Sequence, residues 1–582
     1  MKRLLCFLSL LISVSALADT VSESTARKVA EGFFGIPSTK SGSTLKLING
    51  AATKAVSSQN IYIYTREGGG FIGVAGDDAL NPVMFYSTTG DFVLENIPEN
   101  IQCVLDDLAG CVEYARQIKL SQTTSVASKW QSVQNGVSPV MQKGKGGKYL
   151  ETPRYNQSSP YWDDCPMDGS SHTYSGCVAT ATAEIMKFHE WPVTGTGTIP
   201  SYYAEKLDSI IAERPLGHKY DWDNILTYYR STKGYSDSGT DQQRANIAQL
   251  LFDIGCMVEM DYGTSGSGAV TGDAAIGLAK YMGYCGDVYH RSKSVYSAAE
   301  WIAMIKESID NGLPVLYSGR NSSNGGHAFV ADGYDEDDNI HINFGWGGTD
   351  NAYYTFPVFD SYSLSHGATF NLRPNKNGTP DVKVAEVYIH GISSSVDPPV
   401  KGTTFTITID HFAFSGNTDL NTTVAAFRTD GGGNPVEKLA TKTFSLESGY
   451  YYSTNYIYSN KIQGDIAVSD YVSLYYHPVG SSDWVPVLCN TEEYGPDRIL
   501  LGTQAKFEAG TVASFDNATK IFKVTSDKYT KYTVTKSGSP ISGTAYSASN
   551  GVLSIDTTKL SSGTYKVKAE VGSFSKEFNF VL

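Results

Sequence analysis

The segment GCVATATAEIMKFHEWP, residues 176–192, decides the fold of the central part of the chain. Its residues from Cys177 to His189 favour a helix, and this helix must end before Pro192, which cannot continue it. Gly176 precedes the cysteine and lets the backbone or a bound molecule approach closely. A helix N-terminus carries partial positive charge, which favours the thiolate and lowers its pKa. The segment predicts a nucleophilic Cys177, although a cysteine at a helix start is more often structural.

A thiolate nucleophile needs a base, and the base usually needs a group that orients it. His327 lies 150 residues downstream in GGHAFVADGY, and Asn343 follows 16 residues later in HINFGWGG. The polar turn at 335–339 predicts a hairpin that brings His327 and Asn343 near each other, in a register that the sequence does not fix. The order Cys, His, Asn over this distance is the papain-like arrangement.

Other histidines compete for the role of the base. His341 and His366 are the nearest rivals of His327 within the same block of sequence. His341 lies two residues before Asn343, on the same face of a regular strand, so spacing does not exclude it.

Metal sites are the other interpretation of these residues. Cys165, His172 and Cys177 would suggest zinc, but no fourth ligand follows at a recognised spacing, so we expect no metal. The acidic turn at 335–339 lacks the alternation and the terminal Glu of a calcium loop, and we interpret it as a solvated turn.

Composition narrows the class of protein. Of 582 residues, 41% are hydrophobic and 18% are charged, and the formal net charge is −14. A chain of this length is expected to hold about three or four domains. No basic stripe offsets the negative charge, and phosphate binding needs clustered cations, so we expect no nucleic-acid partner.

The first 20 residues, MKRLLCFLSLLISVSALADT, have the parts of a secretory signal peptide. Lys2 and Arg3 precede the apolar run 4–17, and A-x-A at 16–18 matches a cleavage site. This run is shorter than the roughly 20 residues that span a bilayer, and no later run is long enough. We expect a signal peptide at 1–18 and a secreted or cell-surface protein. Its removal leaves seven of eight cysteines, an odd and sparse set that predicts no disulfide scaffold.

Sequence patterning divides the remaining chain into four blocks, which are residues 19–148, 149–376, 380–495 and 506–582. The first block has helices and strands and ends in the Gly- and Lys-rich stretch 142–148, which predicts an exposed linker. The second block mixes helices and strands. Alternating apolar residues with turns about every 8–12 residues make the last two blocks typical of β-sandwiches. The predicted fold class is α+β.

Five motifs occur in order and together carry a resemblance. They are YNQ at 155–157, GCVATATAEIMKFHEWP at 176–192, MDYGTSGSG at 260–268, GGHAFVADG at 325–333 and HINFGWGG at 341–348. The set resembles the streptopain family of secreted papain-fold cysteine proteases. The stretches GGGFIGVAGDD at 68–78 and NPVMFYSTTGDF at 81–92 resemble the propeptide of that family. The resemblance implies a papain-like catalytic domain at 149–376, behind an inhibitory propeptide at 19–148.

The resemblance also assigns roles to single residues. It makes Cys177 the nucleophile and selects His327, rather than His341, as general base and acid. Asn343 would orient His327, and Gln157 would be an oxyanion-hole donor beside the Cys177 backbone N–H. The implied substrate-binding residues are Ser267, Gly326 and Trp346. The family has Trp after the Asn where this chain has Phe344, which puts subsite shape in question.

The implied function is that of a secreted cysteine endopeptidase, made as a zymogen and held inactive by its own propeptide. It would hydrolyse protein or peptide substrates through a thioester and need no cofactor. Two alternatives remain: a non-catalytic surface adhesin that retains a protease-like fold, and a transpeptidase or amidase that uses the same residues.

The last 200 residues lie outside the implied catalytic domain. Residues 380–495 resemble an immunoglobulin-like module, and 506–582 resemble the C-terminal sorting domains of type IX secretion in Bacteroidetes-like bacteria. Secretion machinery would then be a partner. A module that binds substrate or a surface is the alternative.

Overall fold

The computed structural model describes residues 19–582 with gaps. The residues it leaves out are 38, 40–43, 49–58, 93–98, 138–146, 230, 233–234, 237–238, 321–325, 356–364, 377–386, 415–418, 447–450, 479–480, 491–495, 517–518, 527–529, 542–543, 550 and 572–573. The predicted signal peptide and most of the predicted linker at 142–148 therefore lie outside the described residues. The chain divides into two compact units, the first ending at Val384 and the second running from Ala385 to Leu582.

Seven helices among the described residues of the first unit pack around two hydrophobic cores. They are α1 (Glu23–Phe34), α2 (Glu99–Ile118), α3 (Thr124–Gln134), α4 (Cys177–His189), α5 (Asp241–Met257), α6 (Asp273–Tyr281) and α7 (Ala298–Asp310). Side-chain caps fix several starts: Ser22 accepts a hydrogen bond from the Thr25 N–H, and a capping box joins Ser297 and Glu300. Helix α4 has the bounds that its Gly176 and Pro192 predict. Helix α3 was not predicted.

One antiparallel sheet of eleven strands runs through the first unit. Its strands are β1 (Leu45–Leu47), β2 (Ile61–Arg66), β3 (Phe71–Ala75), β4 (Val83–Ser87), β5 (Lys148–Tyr149), β6 (Tyr289–Ser292), β7 (Val315–Arg320), β8 (Gly326–Tyr334), β9 (Ile340–Asn343), β10 (Ala352–Tyr354) and β11 (Ser365–Phe370). The order is β1-β2-β3-β4-β10-β9-β8-β7-β11-β6, with β5 paired to the end of β8. The predicted hairpin of residues 326–343 is therefore formed by β8 and β9.

The block before residue 148 and the block after it share this sheet. Strand β4 pairs with β10, with Phe85 opposite Tyr354 and Tyr86 opposite Tyr353. Phe85 is fully buried and stacks on Tyr354 at 5.3 Å between ring centroids. Burying such a side chain contributes about 1.5–3 kcal/mol. The Thr355 N–H also donates to the Met84 carbonyl at 2.7 Å. The two blocks thus form one continuous core.

A second core surrounds helix α4. All ten residues from Val178 to Lys187 are buried, so this helix is enclosed on every side. Helix α5 and strand β8 pack against it. Short two-stranded sheets also form in this part of the chain, from the strands Met167–Asp168, Ser171–His172, Thr198–Ile199, Tyr202–Ala204, Ser209–Ile211, Arg214–Pro215, Ser231–Thr232 and Tyr235–Ser236. A helix held in this way gives the residue at its start a fixed position.

The second unit is rich in strands. Its first module has two five-stranded sheets, made of β12 (Val387–Ile389), β13 (Gly391–Ser394), β14 (Thr404–Phe414), β15 (Leu420–Thr429), β16 (Pro435–Leu446), β17 (Tyr451–Lys461), β18 (Tyr471–Tyr476), β19 (Val485–Pro486), β20 (Leu488–Cys489) and β21 (Ile499–Leu500). Strand β21 pairs with β18, so this module continues past residue 495, where the sequence predicts its end.

A second module follows helix α8 (Gln504–Gly510), which was not predicted. Two four-stranded sheets form it, from β22 (Val512–Asp516), β23 (Ile521–Thr525), β24 (Lys531–Lys536), β25 (Ser539–Pro540), β26 (Tyr546–Ser549), β27 (Val552–Asp556), β28 (Thr564–Val571) and β29 (Phe574–Val581). The predicted α+β class with C-terminal β-sandwich modules is confirmed. No helix among the described residues is long and apolar enough to cross a membrane.

Candidate active site

Cys177 is the first residue of α4 and is half-buried. Gly176 before it has φ +87°, a backbone conformation that side chains rarely adopt. A Cβ at Gly176 would lie 2.5 Å from the Met260 sulfur, so only glycine fits here. The Gly176 carbonyl accepts the Thr180 N–H at 3.0 Å and so begins the helix directly at the cysteine.

His327 is the histidine that the structure brings to Cys177. Burial raises the pKa of the Cys177 thiol, but the charge of His327, a hydrogen bond from its ring and backbone hydrogen bonds together outweigh burial, and the net pKa is lowered. The backbone N–H groups of Ala328 and Val178 also lower the pKa of this thiol. Cys177 therefore has the electrostatic environment of a nucleophile.

Other thiols in the same core behave differently. Burial raises the pKa of Cys256 to about 12 and also raises the pKa of Cys165. Both side chains are buried and remain in the inert thiol form. Among the cysteines with a resolved shift, only Cys177 has a lowered pKa.

The His327 ring is held on two sides. Its Nε2–H donates to the Phe344 carbonyl oxygen at 3.2 Å. Trp346 stacks on the ring with 5.8 Å between centroids and 15° between planes. Because Nε2 is occupied, Nδ1 is the nitrogen left to face the sulfur.

The two rival histidines lie elsewhere. His341 is buried, and its Nδ1 lies 2.6 Å from Oδ1 of Asp332. His366 sits on β11 opposite Gly319, and Gly319 separates it from His327 across the sheet.

Asn343 does not make the expected contact with His327 in the described part of the chain. It pairs opposite Val330 in the β8–β9 register, three residues beyond the histidine. Its buried amide instead bonds four groups within 3.3 Å, which are Thr152 Oγ1, the Pro153 carbonyl, the Gly345 N–H and Asn351 Nδ2. The direct contact expected from Asn343 is made instead by the backbone of Phe344. A backbone carbonyl carries no sequence signature, so sequence reasoning missed it.

Gln157 is buried, with an exposed fraction of 6%. Its carbonyl accepts the Ser175 N–H at 3.3 Å, two residues before Cys177. The structure thus brings the segment of Gln157 to the start of α4.

Two of the three predicted substrate-binding residues adjoin His327, and the third lies near Gly176. Gly326 is exposed at the start of β8, next to His327, and Trp346 covers the imidazole. The Ser267 hydroxyl is already used, because it donates to the Tyr174 carbonyl at 2.6 Å and accepts the Gly263 N–H at 3.0 Å. Only the backbone of Ser267 is therefore available to a substrate. Its carbonyl oxygen lies close to Gly176, since it would be 3.3 Å from a Cβ placed there.

The described residues contain no group of three or more His, Cys, Asp or Glu side chains that could hold a metal ion. The chemistry that the arrangement can perform is nucleophilic attack by sulfur with proton transfer through an imidazole.

Comparison with known proteins places these features in a family. A family model described as Peptidase C10 matches residues 155–354, and one described as Spi protease inhibitor matches residues 18–111. Streptopain from Streptococcus pyogenes is 31% identical over 325 residues, which are 54% of this chain and 77% of streptopain. The thiol protease/hemagglutinin PrtT from Porphyromonas gingivalis is 26% identical over 387 residues, which are 63% of this chain and 42% of PrtT.

Prointerpain A from Prevotella intermedia is a solved structure similar to this chain, with a TM-score of 0.46 and 23% identity over 57% of this chain and 99% of that one. The sequence matches confirm the resemblance that the five motifs predicted. The chain belongs to the Peptidase C10 family of streptopain-like cysteine peptidases and carries a Spi-type inhibitor domain before its peptidase domain.

Proposed function

We propose that this protein is a secreted cysteine endopeptidase made as a zymogen, with Cys177 as nucleophile and His327 as general base and acid. The observation that carries the proposal is the Cys177 thiol at the start of α4, with a pKa lowered by the His327 charge and hydrogen bond. A thiolate paired with an imidazolium is the resting form that acyl transfer to sulfur requires.

In the proposed reaction the Cys177 sulfur attacks the carbonyl carbon of a peptide bond. Negative charge develops on the carbonyl oxygen, and the Cys177 N–H and the Gln157 side chain would donate to it. His327 gives its proton to the leaving amine, which leaves a thioester. The imidazole then takes a proton from water, and the hydroxide attacks the thioester and frees Cys177.

The surroundings of the imidazole suit these proton transfers. The Phe344 carbonyl holds the Nε2–H, so the ring keeps one orientation while Nδ1 exchanges its proton. Trp346 covers one face of the ring, which limits access of water. Asn343 supports the site indirectly, because its amide fixes the segment that leads to Gln157.

Docking of the propeptide on the peptidase sheet supports inhibition within the chain. Strand β4 extends the sheet at β10, Tyr86 donates to Asp335 Oδ2 at 2.8 Å, and Lys129 pairs with Asp337 at 2.8 Å. Strand β5 pairs with β8 through Tyr149 and Gly333, so cleavage within 138–146 would leave β5 on the peptidase.

Export rests on the signal peptide expected at 1–18, and sorting or binding by the second unit remains a proposal. One observation favours a binding role for that unit. Four tyrosines of strand β17 are exposed by 39–62%, and they are Tyr451, Tyr452, Tyr456 and Tyr458. Exposed aromatic side chains are frequent where proteins bind other molecules.

The test of the proposed function follows the intact mass of purified full-length protein in reductant. Wild type is compared with Cys177→Ala and with Cys489→Ala, a buried cysteine of the second unit. We expect wild type and Cys489→Ala to be cut to a fragment starting near residues 140–150 and to take one epoxysuccinyl label, while Cys177→Ala stays whole and unlabelled. If neither processing nor label appears in wild type, even after added protease removes the first block, the adhesin alternative replaces the proposal.

A further inference from the structure

Glu184 is an acidic side chain in the interior of the nucleophile helix. It lies seven residues after Cys177 on α4, which is about two helical turns and therefore the same face of the helix. Its exposed fraction is zero. Acidic side chains are almost never fully buried without partners, so its contacts call for an explanation.

One carboxyl oxygen of Glu184 reaches the segment of the oxyanion donor. Oε1 accepts the backbone N–H of Tyr155 at 2.9 Å, two residues before Gln157. The carbonyl of Tyr155 in turn accepts the Gly347 N–H at 2.6 Å, one residue after Trp346. The backbone of Tyr155 is therefore fixed on one side by the nucleophile helix and on the other by the loop beside the imidazole.

Close packing leaves this loop little freedom. Gly345 has φ +73°, and a Cβ there would lie 3.1 Å from Thr180 on α4. Gly348 has φ +86°, and a Cβ there would lie 2.8 Å from the Arg154 side chain. The loop thus fills the space between α4 and the segment that carries Gln157, and a shift of that segment would move all three.

The chemical state of Glu184 suits a site that holds a thiolate. Burial raises the pKa of Glu184 well above its usual range, and this outweighs the lowering by the Tyr155 N–H and the Asn343 side chain. Burial thus favours the protonated, neutral form of the carboxyl. In that form it adds no negative charge two turns along the helix from the sulfur, where such a charge would oppose the thiolate.

We propose that Glu184 is a positioning residue for the oxyanion hole, which acts through Tyr155 to hold Gln157 at a fixed distance from the Cys177 backbone N–H. The inference rests on the proposed function, because it takes Gln157 and Cys177 as the donors. Glu184 does not touch substrate, and a helix residue that only filled the core would have no effect on the reaction once the protein is folded.

Three variants of the full-length chain separate these roles, each activated by the same added protease. Glu184→Gln keeps the acceptor oxygen and the neutral charge. Glu184→Leu keeps most of the volume and removes the acceptor. Glu184→Asp keeps the carboxyl and withdraws it by one methylene. Gln157→Ala serves as the reference for loss of an oxyanion donor, which typically costs about 10²–10³ in kcat.

Two inhibitors report on different parts of the site. A peptide aldehyde forms a thiohemiacetal whose oxygen occupies the oxyanion hole, whereas iodoacetamide alkylates Cys177 and needs only the thiolate. We expect Glu184→Leu to lower kcat and aldehyde affinity by about 10–100-fold, with KM and the alkylation rate within about 3-fold of wild type. Glu184→Gln should stay within about 3-fold of wild type in all four quantities, because it restores the hydrogen bond.

A folded Glu184→Leu with the aldehyde affinity of wild type would overturn the proposal, as would a folded Glu184→Gln that has lost activity. If Glu184→Leu does not fold, Glu184→Asp decides: weaker aldehyde binding with unchanged alkylation supports the proposal, and unchanged binding overturns it. Failure of the proposed function looks different, because wild type would then not alkylate at Cys177, or Gln157→Ala would bind the aldehyde as well as wild type does.

Discussion

The Nε2–H of His327 donates to the backbone carbonyl of Phe344, at 3.2 Å, and not to the side chain of Asn343. The imidazole is therefore oriented by the main chain of the residue after the asparagine. A side chain at position 344 can vary without loss of this contact. The presence of Phe344 where the family has Trp thus changes the packing of a fully buried ring. It leaves the backbone carbonyl that accepts from His327 in place.

Replacement of Asn343 by Ala should damage stability more than proton transfer. The change leaves the buried Pro153 carbonyl without its donor at 2.6 Å, which costs about 1–3 kcal/mol of unfolding free energy. The His327 acceptor is untouched, so the midpoint of the pH profile for Cys177 alkylation should shift by less than about 0.5 pH units. Denaturant unfolding and alkylation rates measure the two effects. A rise of that midpoint by a full unit or more would show that Asn343 acts on the imidazole directly.

The pH dependence of the thiolate follows from the balance at Cys177. The folded pKa lies below the ordinary value of 9.0, so the thiolate and its alkylation persist as pH falls from 9 and are lost only when pH passes the lowered pKa. His327→Ala removes the largest lowering effect but leaves burial, which raises the pKa. The alkylation midpoint of this variant should therefore move to higher pH than that of wild type. A midpoint unchanged from wild type would exclude His327 as the partner of the sulfur.

A methyl group at Gly176 should disable the site. Gly176→Ala places a Cβ 2.5 Å from the Met260 sulfur and strains a backbone with φ +87°. We expect kcat/KM to fall by at least about 100-fold and stability by about 1–3 kcal/mol. Gly169→Ala is the matched control, because Gly169 also has positive φ, +59°, but a Cβ there meets nothing within 4 Å. The control should lose some stability and keep its activity, and equal loss of activity in both would point to strain rather than the Met260 contact.

The sequence predicted the helix of the nucleophile because local signals agree there. Gly176 and Pro192 bound the helix, and the structure begins and ends it at Cys177 and His189. Local signals do not predict which residue of β8 lies opposite Asn343. An irregularity in the pairing between Ala331 and Gly333 shifts the register by one residue, and no turn residue in the sequence indicates it.

Contacts through the backbone were also hidden from the sequence. Glu184 reads as an ordinary helix former among small residues, and only the fold shows that it is buried against the Tyr155 N–H. The contact made by the Phe344 carbonyl is likewise invisible in the sequence, since any residue at this position would supply a carbonyl. Motifs thus revealed the groups that react, and the structure was needed for the groups that hold them.

Release of the propeptide should depend on Tyr86. Its hydroxyl donates to Asp335 Oδ2 at 2.8 Å across the junction of β4 with the peptidase, and burial raises the pKa of this carboxyl. Tyr86→Phe leaves the half-buried carboxyl without that donor only while the propeptide is docked, so docking weakens. A hydrogen bond to a charged group contributes about 1.5–3 kcal/mol, and self-processing should accelerate by roughly tenfold or more.

Tyr64→Phe is the control for this change, because the Tyr64 hydroxyl donates to the Glu23 carbonyl within the propeptide itself. Intact mass over time in reductant measures both variants beside wild type. Acceleration in Tyr86→Phe alone would place the inhibitory contact at the β4–β10 junction. Equal acceleration in both would instead mean that overall propeptide stability limits processing, since each variant loses one part-buried hydrogen bond. The Asp335 bond would then have no special part in holding the zymogen.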